Sequence, residues 1–136
     1  MEQSGLAQIE WVILMALVVI IAAIAIPSYQ RSVLRSHRSY ARTALTNTAK
    51  SLKICHSRYG NYKTPACSIK AGQSFPSPHG FYTISVKIPN DKKFTLIAAA
   101  RGNQKGDRTC EDFFLNQAGL KQAKSAKDVR TSTTCW

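Results

Sequence analysis

The chain has 136 residues and a formal net charge of +12 at neutral pH. That length holds one modest domain plus an appended helix and leaves no room for a second globular unit. The charge favours polyanions or anionic surfaces as partners, and is also met by a plain basic exterior.

Residues 1–5, Met1-Glu2-Gln3-Ser4-Gly5, carry no Lys or Arg and are too short for an ordinary secretory n-region. From Trp11 to Pro27 there is no polar side chain, and the next charge is Arg31. An uncharged run of roughly 20 residues just spans a hydrocarbon core of about 30 Å. A single carboxylate, Glu10, stands at its start. All nineteen Lys and Arg residues follow Pro27, with five of the seven acids, for a balance of +14.

Beyond Pro27 the pattern changes without a break. Tyr29, Val33, Leu34, Tyr40, Ala41, Ala44, Leu45, Thr48, Leu52 and Cys55 recur at three and four residues, the spacing of one helical face. Arg31, Arg35, Arg38, Arg42 and Lys53 recur on the same period and are assigned to the opposite face. One helix is therefore expected from Leu6 to Arg58, apolar first and amphipathic second, about 75 Å long. Pro27 is the breaker inside it and is expected to kink it.

Gly60 ends the helix, and residues 59–80 are rich in turn formers and read as a loop. Phe81–Ile88 alternates apolar and polar as a half-buried strand, Pro89–Lys92 is a turn, and Phe94–Ala100 is a second strand. A glycine- and charge-rich turn, Arg101–Asp107, leads to a third strand, Asp112–Ala118. The tail Leu120–Trp136 reads as polar and basic. The fold class is thus α+β: a long helix whose second half covers a small antiparallel sheet.

Cys55, Cys67, Cys110 and Cys135 form an even set behind an apolar segment, which points to two disulfides and an oxidising compartment. Of the three possible pairings, Cys55–Cys67 with Cys110–Cys135 closes the shortest loops, and the other two stay open. A zinc site is the weaker reading, because the cysteines form no C-x-x-C pair and His37, His56 and His79 lack finger-like spacing. No catalytic constellation or Gly-rich phosphate loop is found. An enzyme, a metal and a cofactor are not expected.

Gly5-Leu6-Ala7-Gln8-Ile9-Glu10, the apolar run and Ala25-Ile26-Pro27-Ser28-Tyr29-Gln30 resemble the N-terminus of type IV pilins. Downstream, Cys55-x-x-x-Tyr59-Gly60-x-Tyr62, Gly80–Ile84, Gly106-Asp107-x-x-Cys110, Leu115-Asn116-Gln117-x-Gly119 and Cys135-Trp136 look like minor pilins of the PilE-like, DNA-uptake group. The chain departs from the family in Glu2 where a basic leader residue is usual, in Leu6 for Phe, in Gln8, and in an apolar run without glycine.

The resemblance implies a leader at residues 1–5, a transmembrane and filament-core helix at 6–28, and a periplasmic head at 29–136. Within the head it implies an amphipathic helix at 29–58, a loop at 59–80, and a sheet with a disulfide-closed C-terminal loop at 81–136. Prepilin peptidase would cut after Gly5, leaving Leu6 as a methylated N-terminus. Glu10 would direct filament assembly, and Pro27 would shape the helix in it. The implied partners are other pilin subunits, the peptidase and the inner-membrane assembly platform. The implied places are the bacterial inner membrane, with the C-terminus periplasmic, and then the extracellular pilus. The positive-inside bias applied to Arg31, Arg35, Arg38 and Arg42 points the other way. The four cysteines and the resemblance outweigh it.

Two basic clusters are candidate DNA-binding residues: Arg101, Lys105 and Arg108 in the turn, and Lys121, Lys124, Lys127 and Arg130 in the tail. A solvated loop or a subunit contact is the bland alternative. For base stacking, Phe113, Phe114 and Trp136 are the aromatics near them in sequence. The expected function is therefore a minor pilin for adhesion, twitching motility or DNA uptake. The alternatives are a DNA-binding uptake pilin that uses these basic loops, a type II secretion pseudopilin, and a membrane-anchored periplasmic domain that never polymerises.

Overall fold

The fold was read from a computed structural model, which describes residues 3–130 and 134–136. A single helix, α1, runs Gln3–Tyr59 with Pro27 inside it. Six strands follow: β1 (Ser74–Pro76), β2 (Tyr82–Asn90), β3 (Lys93–Ala100), β4 (Asp112–Asn116), β5 (Lys121–Lys124) and β6 (Val129–Arg130). They pair in sequence order as one antiparallel meander. By its contacts the chain divides into two compact units, Met1–Val33 and Leu34–Trp136.

The first unit is helix alone. Ile9, Trp11, Val12, Ile13, Leu14, Met15, Leu17 and the large apolar residues up to Tyr29 are all exposed. By length and composition this helix is apolar enough to cross a membrane, with a mean hydropathy of 2.9 over its most apolar window. A continuous apolar surface of this extent is not left in water by a stable soluble protein.

The second unit has a conventional core. Strand alternation turns Tyr82, Ile84, Val86 and Ile88 inward from β2, Phe94, Leu96, Ala98 and Ala100 from β3, and Phe113 and Leu115 from β4. Register sets large against small: Tyr82 lies opposite Ala100, Ile84 opposite Ala98, and Phe113 opposite both Ala98 and Ala123. The helix contributes Ala41, Ala44, Leu45, Thr48, Ala49 and Leu52 to this core, at helical spacing. The alanines let the helix axis come close to the sheet, and Leu45 and Leu52 fill the space between the ring-bearing strands.

The helix stops at Gly60, whose φ of 77° is the left-handed conformation glycine adopts freely. Its N–H bonds the His56 carbonyl at 2.7 Å. Disulfides join Cys55 to Cys67 and Cys110 to Cys135, with Cα–Cα separations of 5.6 and 5.8 Å. The first ties the loop to the helix end, and the second holds the last residues against the sheet.

Three expectations are corrected. The segment 59–80 is not all loop: β1 forms against β2 and a short 3-10 turn occupies Pro78–Gly80. The third strand ends at Asn116, because its side-chain oxygen accepts the Ala118 and Leu120 N–H groups and starts a turn. The tail expected as a disulfide-closed loop carries strands β5 and β6.

Candidate nucleic-acid interface

The turn after β3 is held down by two buried polar residues. Gln104 and Asp107 are 1% and 5% exposed, and each is fully engaged with α1 or the core. Gln104 Nε2 donates to the Leu34 carbonyl at 3.0 Å and to the Tyr82 hydroxyl at 2.9 Å. Its Oε1 lies 3.0 Å from His37 Nδ1, which therefore carries the proton of that bond. Asp107 receives a bidentate pair from Arg38, Nε to Oδ2 at 2.6 Å and Nη2 to Oδ1 at 2.7 Å. Its Oδ1 also lies 3.4 Å from the Cys110 N–H.

Arg38 is thus not on the exposed basic face. It sits on the same stripe as Leu34, Ala41 and Leu45, four residues after the first and three before the second. That spacing was the available signal, and the matching period of Arg31, Arg35 and Arg42 hid it. Burial pushes the Tyr82 phenol pKa well up from its ordinary value. The Asp107 carboxylate adds to that, while the Gln104 hydrogen bond and the Arg38 cation oppose it. Burial likewise raises Tyr62.

With Gln104 and Asp107 pointing in, Arg101, Lys105 and Arg108 are all exposed. The second cluster comes to the same edge. The Ala126 N–H donates to the Arg108 carbonyl at 3.0 Å, and the Glu111 N–H to the Lys124 carbonyl at 2.8 Å. These bonds seat the β5–β6 turn beside the 101–108 turn, with Lys121, Lys124 and Lys127 exposed. Arg130 lies on β6 opposite Ala123, and its side chain falls outside the described residues.

The aromatics expected near the cations divide differently. Phe113 is fully buried, so it has no face for a ligand. Phe114 turns to the other side of the sheet, in a groove with Lys87, Thr95 and Ile97. Trp136 is half-buried, with its Nε1–H on the Gln122 carbonyl at 2.8 Å and Lys121 Nζ at 5.4 Å from the ring centroid. Arg42, Thr43, Thr46, Asn47, Lys121 and Trp136 line a cleft of about 380 Å³ there.

Sequence reading missed a second ring cluster, His37, Tyr40, His79 and Phe81. His37 stacks on Phe81 at 3.6 Å and 14°, and Tyr40 lies 4.7 Å from His79. Neither pair is near in sequence, and no linear motif brings them together. Among the described residues no group of three or more His, Cys, Asp or Glu side chains is arranged to hold a metal.

Residues 27–114 match the family described as type IV minor pilin ComP, DNA uptake sequence receptor. The chain belongs to that family. The match covers more than half of the chain, including the helix stripe, β1–β3 and the anchored turn. Among solved structures, the minor pilin is similar to a type IV pilin from Shewanella oneidensis, at 24% identity and a TM-score of 0.48, covering 79% of this chain and 97% of that one. A comparison with curated proteins returned no match.

Of the N-terminal residues, Gly5 and Glu10 are exposed on α1 and Pro27 lies within it. Met1 and Glu2 of the expected leader lie outside the described residues, as does the side chain of Leu6.

Proposed function

We propose that this minor pilin takes up DNA, binding its phosphate backbone through Arg101, Lys105, Arg108, Lys121, Lys124, Lys127 and Arg130. The observation that carries the reading is the Ala126–Arg108 hydrogen bond, which joins two clusters distant in sequence along one edge. Cations on two adjoining turns can follow successive phosphates, and each phosphate neutralised steepens the dependence on salt. The family's description as a DNA uptake sequence receptor agrees with this chemistry.

The test is the triple variant Lys121→Glu, Lys124→Glu, Lys127→Glu, titrated against a labelled duplex by anisotropy at several salt concentrations. The expected result is a loss of at least tenfold in affinity and a shallower salt slope. Unchanged affinity, or no binding by the parent protein at low salt, overturns the reading.

The N-terminal unit serves assembly. Prepilin peptidase removes residues 1–5 after Gly5, and Leu6 becomes the methylated terminus. The chain waits in the inner membrane with its head in the periplasm, then passes through the assembly platform into a filament of other pilin subunits. There its apolar helix exchanges lipid for neighbouring helices. Glu10 in the bilayer costs about 2.5–3.5 kcal/mol on insertion scales, a cost that pairing with a neighbour's α-amine offsets. Glu10→Ala is expected to leave processing intact and to abolish incorporation, read by mass spectrometry of sheared filaments. Incorporation of that variant at the parent level refutes the pairing.

A further inference from the structure

We propose that His37, Tyr40, His79 and Phe81 form a stacking platform for unpaired nucleobases, so that the pilin binds single-stranded or frayed DNA more tightly than duplex. The inference rests on the DNA reading above and adds a ligand class to it.

Three observations carry it. The first is the cluster itself. His37 lies flat on Phe81, Tyr40 tilts at 56° toward His79, and Tyr40 sits 5.7 Å from Phe81. His79 is exposed and the other three rings are half-buried, so aromatic surface remains open to solvent.

The second is the conformation of His79. The Gly80 N–H bonds the Ser77 carbonyl at 2.9 Å, closing a turn with Pro78 second and His79 third. His79 has φ 62°, ψ 2°, in the left-handed region, where a type II turn calls for glycine. Gly80 follows at φ 72°. Glycine at 79 would relieve the backbone and remove the ring. A side chain held at such a seat is a reason to look for its use.

The third is the surroundings. The Arg101 N–H donates to the Phe81 carbonyl at 2.9 Å, and His37 is bonded to Gln104. The platform therefore adjoins the anchored basic turn. Residues 34–42, 77–83 and 101–108, which build it, hold one carboxylate, Asp107, and that is buried and paired with Arg38. Rings bordered by cations suit a polynucleotide whose bases are free. Every base offers a π-face, and a duplex hides those faces.

The test uses the full-length chain in detergent micelles and three labelled probes of equal phosphate count. These are a duplex, a single strand of the same sequence, and a single strand with abasic sites at its centre. Parent protein is expected to bind the intact single strand about tenfold more tightly than the duplex, and abasic substitution to erase most of that advantage. His79→Gly, and His79→Asn as a ringless residue that also accepts positive φ, are expected to bind all three alike. Duplex affinity and melting temperature should not fall, because the turn is relaxed rather than broken. Equal binding of duplex and single strand by the parent overturns the platform while leaving the DNA reading intact. So does a single-strand advantage that survives both variants. Absence of duplex binding by the parent sinks the DNA reading itself. Unchanged oligonucleotide binding with reduced filament incorporation reassigns the rings to subunit packing.

Discussion

Replacing Arg38 by Met removes one half of a buried ion pair and leaves the other in place. Asp107, 5% exposed at its side chain, loses both charge-assisted bonds and keeps only the 3.4 Å contact from the Cys110 N–H. A carboxylate stranded in this way costs about 3–5 kcal/mol. For a domain of about 100 residues each kcal/mol lowers the melting temperature by about 4–8 °C, so the drop should reach at least about 12 °C. Near-UV circular dichroism of the full chain in micelles reads it, since Tyr82, Phe113 and Trp136 pack in the affected unit. The double variant Arg38→Met, Asp107→Leu should regain much of the loss, because no charge remains unpaired. The coupling from the full cycle should hold at high salt, unlike that of an exposed pair. Single variants costing less than about 1 kcal/mol each would place the pair in the class of surface bridges and refute the reasoning.

Tyr82 sets an alkaline limit. The phenol ionises near pH 10 in the unfolded chain and later in the folded one. Stability from the neutral buried ring is therefore whole below about pH 10 and lost as pH rises toward the folded value. Denaturant midpoints should fall above pH 10, and Tyr82→Phe should flatten that fall; parallel curves for both proteins would count against it. Gly60→Ala meets open space but must hold φ 77°, so a loss of about 1 kcal/mol is expected from urea melts. No change would mean the helix end had re-formed elsewhere. Cys110→Ser with Cys135→Ser should lower stability by about 2–4 kcal/mol and weaken duplex binding, by freeing the chain after β4. Full binding with lowered stability would show that the hairpin is held by β4–β5 pairing alone.

Where side chains alternate over many residues, sequence and structure agree. Tyr82 to Ile88 and Phe94 to Ala100 have inward residues large enough to mark the period, as does the Ala41–Leu52 stripe of α1. Strand β5 escapes notice because Ala123 is its one buried residue. Strand β1 is three residues long and ends in Pro76. The two basic clusters are legible as charge, and their adjacency is not, because it depends on one backbone bond from Ala126. The roles of Gln104 and Arg38 were equally hidden. A buried amide and a buried guanidinium are defined by partners about seventy residues away. The ring cluster draws on positions 37, 40, 79 and 81, and assembles only when β2 lies on the helix.

Between Arg101 and Arg108, the residues that fasten the turn and those that face outward are different residues. Gln104 and Asp107 hold the backbone to α1, whereas Arg101, Lys105 and Arg108 bear on nothing in the core. Selection can therefore act on the two sets separately. On the DNA reading proposed above, exchange of the outer cations would alter ligand preference at little thermodynamic risk, whereas a change at either inner residue would unfasten the turn that presents them. Under that reading, a lineage bearing this head would shift its preference among DNA ligands by single substitutions, without passing through an unfolded intermediate.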